Sequence, residues 1–235
     1  LLLLLTLMFN FIIYFNQIFL FKFIIPLYIL FFFIIISINK TPIFLIKKKV
    51  FQIKNPKILL LFFLFFLITI LPVSDADSIS SHLRSATYIF NNGLFNINLA
   101  KNYEFLSISN SEILLLFSPI LKSDNFGAQL NFFSLMILYL VSKKNLNFYE
   151  FLLACPLFIF LVSTQKLQLF FGILFLLLFI LVHKDKVKTR LEIFLFLSLL
   201  SFFATGKIYY ILLSFLLLFY FLLKNKNYFK YSLAY

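Results

Sequence analysis

Residues 58–71 read Ile-Leu-Leu-Leu-Phe-Phe-Leu-Phe-Phe-Leu-Ile-Thr-Ile-Leu, with Lys54 and Lys57 just before the run and Asp75 and Asp77 just after it. Such a run has no polar face to turn to water. Similar runs recur at Leu167–Val182 and Ile208–Leu223. Of the 235 residues, 63% are hydrophobic and 12% charged, against roughly 45–50% and about 25% in soluble domains. A helix crosses the hydrocarbon core with roughly 20 apolar residues. Several runs fall short of that, so flanking Lys and Tyr must reach the interface. The expected fold is an all-α polytopic membrane protein.

Working outward, the expected spans are Leu3–Leu20, Phe23–Ile38, Ile58–Val73, Phe126–Val141, Leu146–Val162, Leu167–Val182, Leu191–Ala204 and Ile208–Leu223. That is about eight transmembrane helices in a single membrane domain, 1–235. Residues 1–57 form a helix pair and a basic loop, and 58–73 a span. Residues 74–125 form an acidic loop with interfacial helices, and 126–223 five further spans. Ile113–Leu121 is apolar but too short to cross, and reads as re-entrant or interfacial.

The net charge of +13 would suit nucleic acid, but the cations stand between apolar runs, where they act as topology signals. We therefore expect no nucleic-acid partner. With Ile113–Leu121 kept from crossing, fifteen Lys/Arg fall on the cytoplasmic side. Arg84, Lys101, Lys122, Lys166 and Lys207 fall on the outer side. The acidic loop is then extracytoplasmic. Cys155, the single cysteine, allows no internal disulfide, and two widely separated His with one Cys argue against a zinc site. The start at Leu1 and the stop soon after a hydrophobic helix point to a piece of a longer protein.

The acidic loop opens with Asp75-Ala-Asp77-Ser-Ile-Ser-Ser-His82-Leu-Arg84. Ile79, Leu83, Ala86 and Phe90 recur at helical spacing, and Asn91-Asn92-Gly93 supplies a stop, so 78–91 reads as an amphipathic helix on the membrane surface. Asp77 has two readings that do not exclude each other. It can cap that helix, or it can serve as general base or metal ligand, since a carboxylate beside lipid is partly desolvated. His82 can hold substrate or merely hydrogen-bond in the interface. Glu104 and Glu112 read as solvated loop charges before they read as ligands. Asp124 is expected to cap the helix at Phe126.

The run Asp77-Ser-Ile-Ser-Ser-His82-Leu-Arg84, followed by Ala86 and the Asn92-Gly93 turn, resembles the first outer loop of bacterial GT-C glycosyltransferases. These are the polytopic enzymes related to protein O-mannosyltransferases and aminoarabinose transferases. Ser81 stands where one branch has Tyr. Val162-Ser-Thr-Gln-Lys166 resembles the family's Ser-Thr-x-Lys segment, with Leu167-Gln168 in place of Pro-Asp. Ala204-Thr-Gly-Lys207-Ile-Tyr209 resembles its small-residue-Lys-Tyr segment. The likeness covers roughly 58–223.

The resemblance implies an inverting membrane glycosyltransferase of the bacterial inner (plasma) membrane. It would move a sugar from a polyprenyl-phosphate donor to a lipid, glycan or protein acceptor at the outer face, amid membrane lipids. Asp77 or Asp75 would deprotonate the acceptor or hold a divalent metal, Mg or Mn. His82, Arg84, Lys166, Lys207 and Glu112 would contact substrate, the cations answering the leaving phosphate. Two other classes compete: a transporter or flippase component, and an O-antigen polymerase- or ligase-type protein. Transporters place charge or broken helices at mid-membrane, whereas here the run centres are nearly charge-free. Polymerases and ligases would carry Arg-rich outer loops, and here the outer side holds Arg84 alone.

Overall fold

The computed structural model describes residues 56–75, 78–92, 109–141 and 155–225. The first two expected spans and the basic loop after them lie outside the described residues. Among the described residues every regular element is helical. In chain order they are α1 (Pro56–Ile70), a π-helix (Ser78–Leu83), α2 (Arg84–Asn92), α3 (Asn110–Leu114), α4 (Phe117–Leu121), α5 (Phe126–Val141), α6 (Pro156–Ser163), α7 (Gln168–His183), α8 (Arg190–Ala204) and α9 (Tyr210–Lys224).

The long helices follow the apolar runs closely, α5 at both ends. The span expected at 146–162 is described only from Cys155 on, where Pro156 opens α6. Proline suits a first turn because its missing N–H would have no partner there. Fifteen or sixteen residues per helix correspond to about 22–24 Å, short of the roughly 30 Å hydrocarbon core. Among the described residues, no single helix is long and apolar enough to cross a membrane. The pair α6 and α7 passes by length and composition together, bent by 114° at the break between them.

Packing orders the long helices. α5 lies between α1 and α7, α6 closes against α1 and α5, and α7 leads to α8, which packs on α9. One core joins Phe62 and Phe65 of α1 to Phe132 and Leu135 of α5, and to Leu169 and Ile173 of α7. A second joins Leu178 and Val182 to Phe196, Leu200, Leu217 and Phe221. The third holds the short helices: Ala86, Ile89 and Ile113 to Phe117 pack on Leu167, Phe171, Phe202, Phe203 and Tyr210. The opposite faces carry bare apolar side chains, among them Leu59, Leu60 and Phe63 on α1, Leu191 and Phe194 on α8, and Leu212, Phe215 and Phe219 on α9.

Ile113–Leu121, expected to be re-entrant or interfacial, forms parts of two short helices, and residues 111–118 are all buried, an internal plug against α7, α8 and α9. Residues 78–92 are a π-helix running into an α-helix rather than one amphipathic α-helix. The wider π turn breaks the 3.6-residue register. Ile79 is therefore exposed, and Ser78, Ser85, Ala86 and Ile89 face inward.

Candidate functional site

The site is built where two chain breaks meet the plug. The first break separates α6 from α7. Asn131, fully buried on α5, holds it. Its Nδ2 donates to the carbonyls of Leu161 and Lys166, both at 2.9 Å, and its Oδ1 accepts from Phe170 N–H at 3.1 Å. These bonds satisfy backbone groups freed by the break, as a bend buried among apolar side chains requires.

Gln165 secures the same break from another side. Its Oε1 accepts from Gly127 N–H at 2.7 Å. Its own N–H donates to Ser78 Oγ at 3.0 Å, and Ser78 Oγ donates to Asp75 Oδ2 at 2.7 Å. A Cβ on residue 127 would stand 2.9 Å from the Gln165 carbonyl oxygen, so glycine is what allows this approach. Asp75 also accepts from Ser78 N–H at 3.3 Å. It therefore caps the π-helix and ties it to the break. Asp77 lies outside the described residues.

The second break is the turn Thr205–Tyr209 between α8 and α9. The start of α3 docks on it. Asn110 N–H donates to Thr205 O at 3.1 Å, and Asn110 Nδ2 to Thr205 Oγ1 at 2.6 Å. Ser109 Oγ lies 2.5 Å from Gly206 O. A Cβ on Gly206 would fall 2.5 Å from the Phe171 ring, so the turn seats on that ring because it carries no side chain there.

This docking delivers Glu112 to the centre. It is the third residue of α3, and its carboxylate reaches back over the helix start. Oε2 accepts from Ser109 N–H and Ser111 Oγ, both at 2.9 Å, and sits against Ser109 Oγ. Oε1 accepts from Lys207 Nζ at 2.5 Å and lies 3.3 Å from His82 Nδ1. Glu112 is 5% exposed. Burial by itself would raise its pKa, but the hydrogen bonds from His82, Lys207 and Ser109 and the lysine's charge outweigh it and hold the carboxyl at about 2. Glu112 is thus a buried anion matched to a cation, not the solvated loop charge expected from the sequence.

His82, Glu112, Lys166 and Lys207 line one cavity of about 220 Å³, together with Gln165 and Tyr209. Three stretches far apart in the chain, 78–84, 162–166 and 204–209, converge there. Among the described residues, Gln165 Nε2 is buried without a hydrogen-bond partner, and an unmet buried amide N–H costs about 1–3 kcal/mol.

Arg84 is not brought to this cavity. It is exposed and borders a wider groove of about 820 Å³ with Lys122 and Asp124. The α5 helix starts from Asn125, whose carbonyl accepts Gln129 N–H at 3.0 Å, so the expected cap at Asp124 moves by one residue. Among the described residues no three His, Cys, Asp or Glu side chains group to hold a metal, and Asp75 Oδ2 is occupied by Ser78. Asp77, the other carboxylate of the expected metal pair, lies outside the described residues.

Gln165, Asn131, Ser109 and Gly206 are not among the candidates drawn from the sequence. Asn131 carried a signal: it is an amide in the middle of an apolar run, where an unpaired polar group is expensive.

Comparison with protein-family models, curated proteins and solved structures finds no match to this chain.

Proposed function

We propose that the chain is a membrane glycosyltransferase that moves a sugar from a polyprenyl phosphate to an acceptor hydroxyl at the outer face of a bilayer. One observation supports this reading above others. The three stretches that resemble the GT-C segments, spread over more than a hundred residues of chain, each contribute a side chain to one small polar cavity: His82, Lys166 and Lys207. Glu112, from the same loop as His82, joins them. The bare apolar faces of α1, α8 and α9 support a lipid surround, since a face of that size in water would be an aggregation site.

The cavity's size limits what enters it. At about 220 Å³ it is smaller than the roughly 300–1,000 Å³ of drug-sized ligand pockets, so it takes a small polar head and leaves a prenyl chain outside. The charges divide the work. Lys166 and Lys207 both line the cavity, and Lys166 is the one we assign to the departing phosphate, because Lys207 balances Glu112. Inversion at the anomeric carbon requires a proton acceptor for the hydroxyl and a cation for the leaving group. Asp77 enters this scheme through the resemblance, and Asp75 is engaged by Ser78 as a cap.

The test is sugar transfer in membranes carrying the protein, with radiolabelled short-chain polyprenyl-phosphate hexoses as donors. We expect transfer by the wild type and a fall in kcat of about 100-fold or more for Lys166→Met at equal protein level. Absence of transfer across the donor panel would sink the reading.

A further inference from the structure

We propose that His82 is the proton acceptor of the transfer reaction and that Glu112 is the residue that positions it. This rests on the glycosyltransferase reading above.

His82 Nδ1 stands 3.3 Å from Glu112 Oε1. An ionised carboxylate can only accept hydrogen bonds, so Nδ1 carries the proton of that contact. In the neutral ring Nε2 then holds the free lone pair. Among the described residues, His82 makes its polar contact with Glu112 and with no other side chain. Its own side chain is 16% exposed, and it lines the cavity. One ring nitrogen is thus held by a carboxylate while the other keeps its lone pair for a proton. This is the logic of a base oriented by a buried acid.

The neighbouring groups hold Glu112 in place beside the ring. Lys207 Nζ lies 2.5 Å from the same Glu112 oxygen and already balances the carboxylate's charge. Lys166 lines the same cavity. Arg84, two residues along, is exposed and faces the wider groove. Ser109 and Ser111 fix the other carboxylate oxygen, so Glu112 cannot swing to take the proton itself. Its five contacts and its low pKa, about 2, make it a poor base and a firm anchor.

Nε2 takes the proton from the acceptor hydroxyl as the hydroxyl oxygen attacks the anomeric carbon. A new C–O glycosidic bond forms, and the bond from the anomeric carbon to the phosphate oxygen breaks. The electron pair leaves with the polyprenyl phosphate beside Lys166. The imidazolium then gives its proton to water.

The experiment is the pH–rate profile of transfer, read with the donor panel above for the wild type and for His82→Gln, Glu112→Gln, Glu112→Asp and Asp77→Asn. The wild type is expected to lose rate on the acid side where imidazoles titrate, roughly pH 5–8. His82→Gln is expected to lower kcat about 100- to 10,000-fold, leave KM within a few-fold, and abolish that acid limb. Glu112→Gln is expected to lower kcat with little change in KM, and Glu112→Asp to recover part of the loss, which a purely structural Glu112 would not do. Transfer by the wild type with full rate in His82→Gln overturns the assignment and leaves the transfer reading standing. So does an acid limb kept in His82→Gln and lost in Asp77→Asn. No transfer by the wild type overturns both.

Discussion

Two lysine–carboxylate pairs stand at opposite ends of α9. At its start Lys207 meets Glu112 at 2.5 Å; at its end Lys224 meets Asp185 at 3.0 Å. The contacts are alike in chemistry and differ in setting. The Glu112 side chain is 7% exposed and the Asp185 side chain 53%. Glu112 is fixed by two serines of its own helix start and by a histidine from the π-helix. Asp185 stands in a left-handed turn, φ 52°, while Lys224 also donates to the carbonyls of Val182 and His183. The buried pair joins α3, the π-helix and the α8–α9 turn into one site. The exposed pair trims a helix end. The same two charges organise a site where water is excluded and do little where it is present.

The comparison breaks first at Lys207. Replacing it with Met leaves a buried carboxylate without its cation, and we expect a loss of about 3–5 kcal/mol. Thermal unfolding in detergent measures it.

Acid gives the next largest effect. Folding holds the Glu112 carboxyl at about 2 against an ordinary 4.5. The stability it contributes is therefore fully present above about pH 4.5 and is lost as pH falls toward 2. The amount is on the order of 3 kcal/mol. Midpoints of unfolding should fall across that window in the wild type, and the share due to this carboxyl should be missing in Glu112→Gln.

The smallest effect belongs to the exposed pair. Asp185→Asn should change stability by under about 1 kcal/mol, and added salt should shrink even that. A loss there matching that of Lys207→Met would mean burial is not what separates the two pairs.

Much of the helical frame was legible in the sequence. The apolar run Phe126–Val141 is α5 at both ends, because a continuous apolar stretch bounded by polar residues leaves the chain few other ways to bury itself. The runs at 167–182, 191–204 and 208–223 shift by one or two residues in α7, α8 and α9. The site was legible in its members and not in its geometry. His82, Lys166, Lys207 and Glu112 were all candidates, but Glu112 read as a solvated charge. Its burial depends on Lys207, 95 residues away, and on a glycine at 206 that lets the turn settle on Phe171. No local pattern encodes such a pairing. The π-turn at Ser78–Leu83 was equally invisible, since its register comes from Ser78 bonding both Asp75 and Gln165 rather than from helix periodicity.

The measurement that tests the central claim most directly is a double-mutant cycle on Glu112→Gln and Lys207→Met, read as unfolding free energy in detergent. If these residues form one buried pair at the heart of the site, the two losses should fall short of adding in the double variant, with a coupling of about 1–3 kcal/mol. Losses that add within about 0.5 kcal/mol would mean the two side chains do not meet, and the convergence on which the site rests would fail.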